Sequence, residues 1–210
     1  MALYADRGDA GRRLAAALGP VHDPLVLGLP RGGVVVAHEV VVARGGQLDV
    51  VVVRKLGAPH HPEYGIGALA EDDEPLWDER AVAALGLSQA DRERLVRKET
   101  DELVRRREAY RAGPLPPLAG RLVVVVDDGL ATGVTARAAL RRVRREQPSR
   151  LVLAVPVGAP DTVLSLAAEA DEVVCPAQPA ELGSVGAYYD DFAATSDREV
   201  VALLSSSPRP

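Results

Sequence analysis

Cysteine is almost missing from this chain of 210 residues: Cys175 stands alone, so no internal disulfide and no paired-cysteine metal motif can form. Aromatic residues make up only 3% of the chain, which leaves Val, Leu and Ala to fill any core. Positive charge is not in excess. A formal net charge of -5 argues against a general nucleic-acid binder. No apolar run approaches the length of a membrane span, and the first residues, Met-Ala-Leu-Tyr-Ala-Asp-Arg, lack the apolar region of a secretory signal. A soluble, cytoplasmic protein without membrane partners is expected. There is no P-loop and no nucleophile elbow. The stretch Gly65-Ile66-Gly67-Ala68-Leu69-Ala70 fits a relaxed dinucleotide fingerprint. It follows Pro-Glu-Tyr instead of a strand and precedes Glu-Asp-Asp-Glu instead of a helix, so it is rejected.

What is abundant is apolar sequence, 47% of the residues, arranged in short runs. Leu25 to Leu29, Leu48 to Arg54, Leu122 to Val126, Leu151 to Pro156 and Glu172 to Cys175 read as strands. Helices are predicted over Ala10 to Leu18, Val34 to Arg44, Ser88 to Arg111, from Ala136 onward, and over Asp161 to Ala170. Strands that are apolar throughout and alternate with helices call for an α/β fold, a mostly parallel sheet flanked by helices. One domain over 1–210 is expected, with a core at about 20–175, a helical insertion at about 76–118 and a C-terminal hood and tail at about 176–210. Residues 56–64 are loop by composition, a hairpin-like stretch follows to about Leu76, and the polar tail from Ser205 should be frayed. In the helix from Ser88, that serine should be the N-cap with Asp91 in the first turn. Its sparse apolar stripe (Leu95, Val96, Leu103, Val104) suits a solvated amphipathic helix or one packed in a homodimer.

The chemistry is concentrated in residues 122–135, Leu-Val-Val-Val-Val-Asp-Asp-Gly-Leu-Ala-Thr-Gly-Val-Thr. A buried strand ends on two acids, a small-residue loop follows, and a helix begins. Loop amides at a helix N-terminus attract an anion such as a phosphate, while carboxylates seek hydroxyls or a hydrated cation. A sugar phosphate offers both. A bare βα turn that binds nothing would explain the glycines and threonines but would leave Asp127 and Asp128 without partners. The run resembles the 5-phosphoribosyl-1-diphosphate (PRPP) signature of type I phosphoribosyltransferases: four apolar residues, two acids, then a loop ending Thr-Gly-x-Thr. It departs from that pattern at Gly129, where an aliphatic residue is usual.

The resemblance implies roles for other residues. Gly28-Leu29-Pro30-Arg31-Gly32-Gly33 looks like the family's diphosphate-binding loop, with Arg31, Gly32 and Gly33 as ligands and a cis non-proline peptide at Arg31-Gly32. Arg54 and Lys55, ahead of a Gly/Pro-containing loop, resemble the entry to a mobile catalytic lid, and would also meet the diphosphate. His60, His61 and Glu63 are read as loop residues covering substrate, since adjacent histidines do not converge on one metal easily. Ala131, Thr132, Gly133, Val134 and Thr135 would hold the 5′-phosphate. Asp127 and Asp128 would hold the ribose hydroxyls and, through water, Mg²⁺. Tyr188, Tyr189 and Phe192 are either a base-binding hood or an anchor for the C-terminal segment.

The activity so implied is phosphoribosyl transfer from PRPP to a small nitrogenous acceptor, a nucleobase for preference, with Asp127, Asp128, Arg31 and Lys55 as the catalytic set. Ala131 stands where hypoxanthine/guanine-type members carry an aspartate, which disfavours a 6-oxopurine acceptor handled by that acid. The rival reading is a regulator on the same fold that senses PRPP or a nucleotide without chemistry.

Overall fold

A computed structural model describes residues 2–111 and 113–207, with the side chains of Pro62 and Glu63 left aside. Five strands, β1 (Leu25–Gly28), β2 (Gln47–Val50), β6 (Leu122–Val126), β7 (Arg150–Ala154) and β8 (Glu172–Val174), form a sheet in the order β2-β1-β6-β7-β8. Every pairing in it is parallel. Alternation along the strands divides the core in two. Val26, Val124, Val126 and Val152 face a cluster with residues of α1 (Arg7–Ala17), α2 (Gly32–Arg44) and α7 (Asp197–Ser206). Leu25, Leu27, Val123, Val125, Leu151 and Leu153 face the other cluster, which holds Ala139, Leu140 and Val143 of α5 (Val134–Arg145) and Leu166 of α6 (Pro160–Leu166). The predicted α/β architecture is the observed one.

Burial overrides local propensity in α2. Its valines disfavour helix, yet Val34, Val36, Val40 and Val41 are all buried against the sheet. The approach of α1 to α2 is close: a Cβ on Gly11 would lie 2.6 Å from Glu39 Cβ and 2.8 Å from Val36 O.

Two predicted boundaries fail for one reason. The apolar run from Leu48 to Arg54 is not one strand, because β2 ends at Val50 and β3 (Val53–Ala58) belongs to a second, antiparallel sheet with β4 (His61–Ala70) and β5 (Leu76–Trp77). Residues 56–64, expected as loop, are therefore mostly the two arms of the β3–β4 hairpin. At the switch, Val52 N donates to Glu71 Oε1 at 2.9 Å, so a carboxylate takes the amide that a continuing strand would have used. Glu71 is buried and ion-paired with Arg111, which also donates to Val50 O at 2.8 Å and lies 3.7 Å from Asp49. Burial pushes the Asp49 carboxyl above its usual range.

The insertion holds α3 (Glu79–Ala84) and α4 (Gln89–Tyr110), the latter started by a reciprocal Ser88–Asp91 capping box. Leu103 and Tyr110 of α4 are buried, and Val96 packs against the same cluster. The helix α7 has no counterpart among the predicted elements; the expected frayed tail is helical to Ser206, and Pro208 to Pro210 lie outside the described residues.

Candidate active site

The site grows from the carboxyl ends of β1 and β6, which are neighbours in register Gly28–Val126. The chain after β1 turns through Pro30–Gly33 directly against the chain after β6. A Cβ on Gly33 would lie 2.7 Å from Val126 O and 2.9 Å from Asp127 Cα, and one on Gly32 only 1.9 Å from Asp128 Oδ2. The two glycines are needed because the acidic pair comes this close. The cis peptide is at Pro30–Arg31, one bond earlier than expected.

Asp127 and Asp128 are not without partners. Asp127 Oδ1 accepts from the Asp128 amide at 2.9 Å. Asp128 Oδ2 accepts from Arg7 Nε at 2.8 Å. Among the described residues, Asp127 Oδ2 and Asp128 Oδ1 accept no hydrogen bond, so each acid keeps one oxygen available. Burial, with the neighbouring charge of Asp128, drives the Asp127 carboxyl well above the usual carboxylate range. Burial raises Asp128 too, against the pull of the Arg7 guanidinium. Arg7 had no signal in the sequence, since 121 residues separate it from its partner.

The loop that follows is built to present amides. Gly133, with φ of 69°, is the left-handed N-cap of α5. Among the described residues, the amides of Ala131 to Ala136 donate to no protein acceptor. Six successive N–H groups at a helix N-terminus are thus left without a protein acceptor. Thr162 of α6 braces the loop from behind, its hydroxyl donating to Ala131 O at 2.7 Å.

The predicted cations separate. Arg54, expected at the diphosphate, turns to α4 and binds Glu99 through Nε at 2.9 Å and Nη2 at 2.7 Å. Lys55, next along β3, points to the other face. Its Cδ would lie 3.1 Å from a Cβ on Gly65, and Val134 Cγ1 3.6 Å from the same point, which sets Lys55 beside the start of α5. Arg31 is partly exposed, with Nη1 3.8 Å from Asp197 at the start of α7. His60 occupies the β3–β4 turn and His61 opens β4; the Glu63 side chain lies outside the described residues.

Of the three C-terminal aromatics, Tyr189 is buried, with its ring 5.4 Å from Tyr4 and 4.9 Å from Phe192. Its hydroxyl donates to Asp128 O at 2.6 Å, and burial with the charge of Asp128 raises its pKa. That geometry favours the anchor over the hood. Tyr188 donates to Glu181 O at 3.1 Å. The same segment answers the departure at Gly129: Val185 Cγ1 sits 2.5 Å from where a Gly129 Cβ would stand.

Comparison with known proteins agrees with this geometry. The family model described as phosphoribosyl transferase domain matches residues 8–191. Rv0571c of Mycobacterium tuberculosis, which carries a provisional phosphoribosyl transferase name, is 48% identical over 212 residues, covering 100% of this chain and 48% of that protein. MT0597 from strain CDC 1551 of that organism gives the same figures. The chain spans about half the length of these curated relatives. The crystal structure of TT1426 from Thermus thermophilus superposes with a TM-score of 0.80 at 47% identity, over 97% of this chain and 98% of that one. AQ2163 from Aquifex aeolicus shares the fold at 13% identity and a TM-score of 0.52, over 82% and 74% of the two chains. No helix among the described residues is long and apolar enough to cross a membrane. A model match that runs from α1 through the acidic pair and its amide loop to the C-terminal segment leaves one conclusion: the chain belongs to the phosphoribosyl transferase domain family.

Proposed function

We propose that this chain transfers the 5-phosphoribosyl group of PRPP to a small nitrogenous acceptor and releases diphosphate. The observation that carries the reading is the pairing of six uncommitted amides, Ala131 to Ala136, with two adjacent carboxylates that each keep an oxygen available. The amides suit the 5′-phosphate, and the carboxylate oxygens suit the ribose hydroxyls. As the C1–O bond to diphosphate breaks, the electron pair leaves with the diphosphate. The acceptor nitrogen forms the new bond to C1 and sheds its proton. Positive charge that develops on the ribose is stabilised by Asp127 and Asp128, held in place before the reaction begins. Lys55 and Arg31, flanking the same edge, would receive the departing charge.

Mg²⁺ fits this donor set as a guest of the substrate. Hard oxygen ligands are right for it, but two carboxylate oxygens are too few to bind it alone, and no cluster of three or more acid, His or Cys side chains is present among the described residues. Asp127 and Asp128 would hold it through water, and it would neutralise charge on the diphosphate. A screen of PRPP with Mg²⁺ against nucleobases and amines, read by diphosphate release, tests the reading. Release that depends on one acceptor supports it. Tight PRPP binding with no release under any acceptor replaces it with the sensor, and absence of PRPP binding overturns both.

A further inference from the structure

We propose that Arg7 is a positioning residue of this site, one that locks Asp128 and the C-terminal segment into a single unit; the inference rests on the transferase reading and concerns how its acidic pair is held. Arg7 lies in the first turn of α1, behind the N-cap Asp6, whose side chain accepts from Asp9 N. Its guanidinium is engaged on three sides. Nε donates to Asp128 Oδ2 at 2.8 Å, Nη1 donates to Ala193 O at 2.7 Å, and Cζ lies over the Phe192 ring, 3.8 Å from its centroid. A Cβ on Gly32 would lie 2.5 Å from Arg7 Nε, so the loop after β1 closes the fourth side. The side chain keeps only 12% of its exposure.

Each contact has a separate consequence. The charged hydrogen bond commits Asp128 Oδ2 and so fixes which oxygen remains for the sugar. The bond to Ala193 and the stack on Phe192 fasten residues 192–193 to the same cation. Tyr189 completes the loop by donating to Asp128 O at 2.6 Å. The acidic pair is thereby gripped by its side chain from α1 and by its backbone from the C-terminal segment. Only a planar, forked donor can serve both acceptors and stack at once; an ammonium has neither the span nor the face. The expected effect is on orientation in the transition state more than on capture of the phosphate, whose amides lie further along the loop.

The test compares Arg7→Lys and Arg7→Met with Arg12→Met, an exposed arginine of α1 that lies 3.5 Å from Glu39 and outside the site. Both Arg7 variants should lose about 10- to 100-fold in kcat while the affinity for PRPP with Mg²⁺ stays within about threefold. Arg12→Met should match wild type. Losses of kcat, affinity and melting temperature in proportion would show a merely structural arginine and overturn the proposal, as would unchanged kcat. A thermal double-variant cycle of Arg7→Met with Asp128→Asn decides the coupling without any turnover. The double variant should melt no lower than the worse single one, and fully additive losses would refute the lock. A wild-type chain that releases no diphosphate overturns the transferase reading, and Arg7 is then judged by the cycle alone.

Discussion

Substituting Gly32 by Ala sets two effects of opposite sign against each other. Gly32 is the first residue of α2, and helix propensity alone favours Ala by up to about 1 kcal/mol. Packing says the reverse. The added Cβ would stand 1.9 Å from Asp128 Oδ2 and 2.5 Å from Arg7 Nε, against an ordinary contact of 3.4 Å or more. The carboxylate must retreat by about 1.5 Å to reach that limit. It cannot do so and keep its 2.8 Å bond to Arg7. Overpacking of this kind costs about 1–3 kcal/mol. In a domain of this size that lowers the melting temperature by roughly 2–12 °C. Turnover should fall more steeply, about 100-fold for a displacement near 1 Å at a catalytic group. Calorimetry of Gly32→Ala beside Gly19→Ala, where a Cβ would meet nothing within 4 Å, isolates the collision. If the two variants melt together, the tight approach of the two loops is not what holds this edge.

Asp127→Asn should raise the melting temperature at neutral pH, because burial and the charge of Asp128 make its ionised form unfavourable in the fold. Burial disfavours the Asp128 charge too, but Asp128→Asn should lower the melting temperature because it leaves the nearly buried Arg7 guanidinium without a charged partner. Diphosphate release should be lost in both, and a stability change of the same sign in both would refute the assignment. Thr162→Val removes the brace on Ala131 O and should raise the PRPP KM several-fold with little change in thermal stability, read by initial rates and calorimetry. Acid should take away the modest stability contributed by the arginine-paired surface carboxylates. Bonds from Arg105 and Arg106 pull Glu102 from 4.5 down to about 2, and Glu169 and Asp171 are lowered by Arg141 and Arg144. Their folded pKa values lie below the unfolded ones, so the stability they contribute is present above about 4.5 and drains as pH falls toward about 2. A melting temperature flat across that interval would contradict these pairings.

The parallel sheet and the amide loop were legible because each rests on local signals: valine-rich runs, a Gly/Thr turn, acids at a strand end. The switch from β2 to β3 was not, since Val51 and Val52 are as buried as the strands around them and only Glu71, far along the chain, takes the amide of Val52. The β3–β4 hairpin hid behind a Gly, Pro and His composition that resembles loop. Arg7 and Asp197 were invisible for the same reason as Glu71: each is defined by partners distant in sequence, Asp128 for one and Arg105 and Arg31 for the other. Arg54 shows the converse case, where adjacency to Lys55 suggested a shared position and the alternation of a strand sends the two side chains apart.

The contact between Gly129 and Val185 bears on how such proteins can be recombined. The space left by the aliphatic group missing from the signature is filled by a residue 56 positions later, so the two positions form one packing pair split across the chain. A chimera that keeps this C-terminal segment but imports a signature with Val or Ile at 129 would drive two branched side chains into one space. The reciprocal chimera, with Gly129 and a smaller residue at 185, would open a hole beside the acidic pair. Transplants should therefore move residues 127–135 and 182–193 together, as a single cassette.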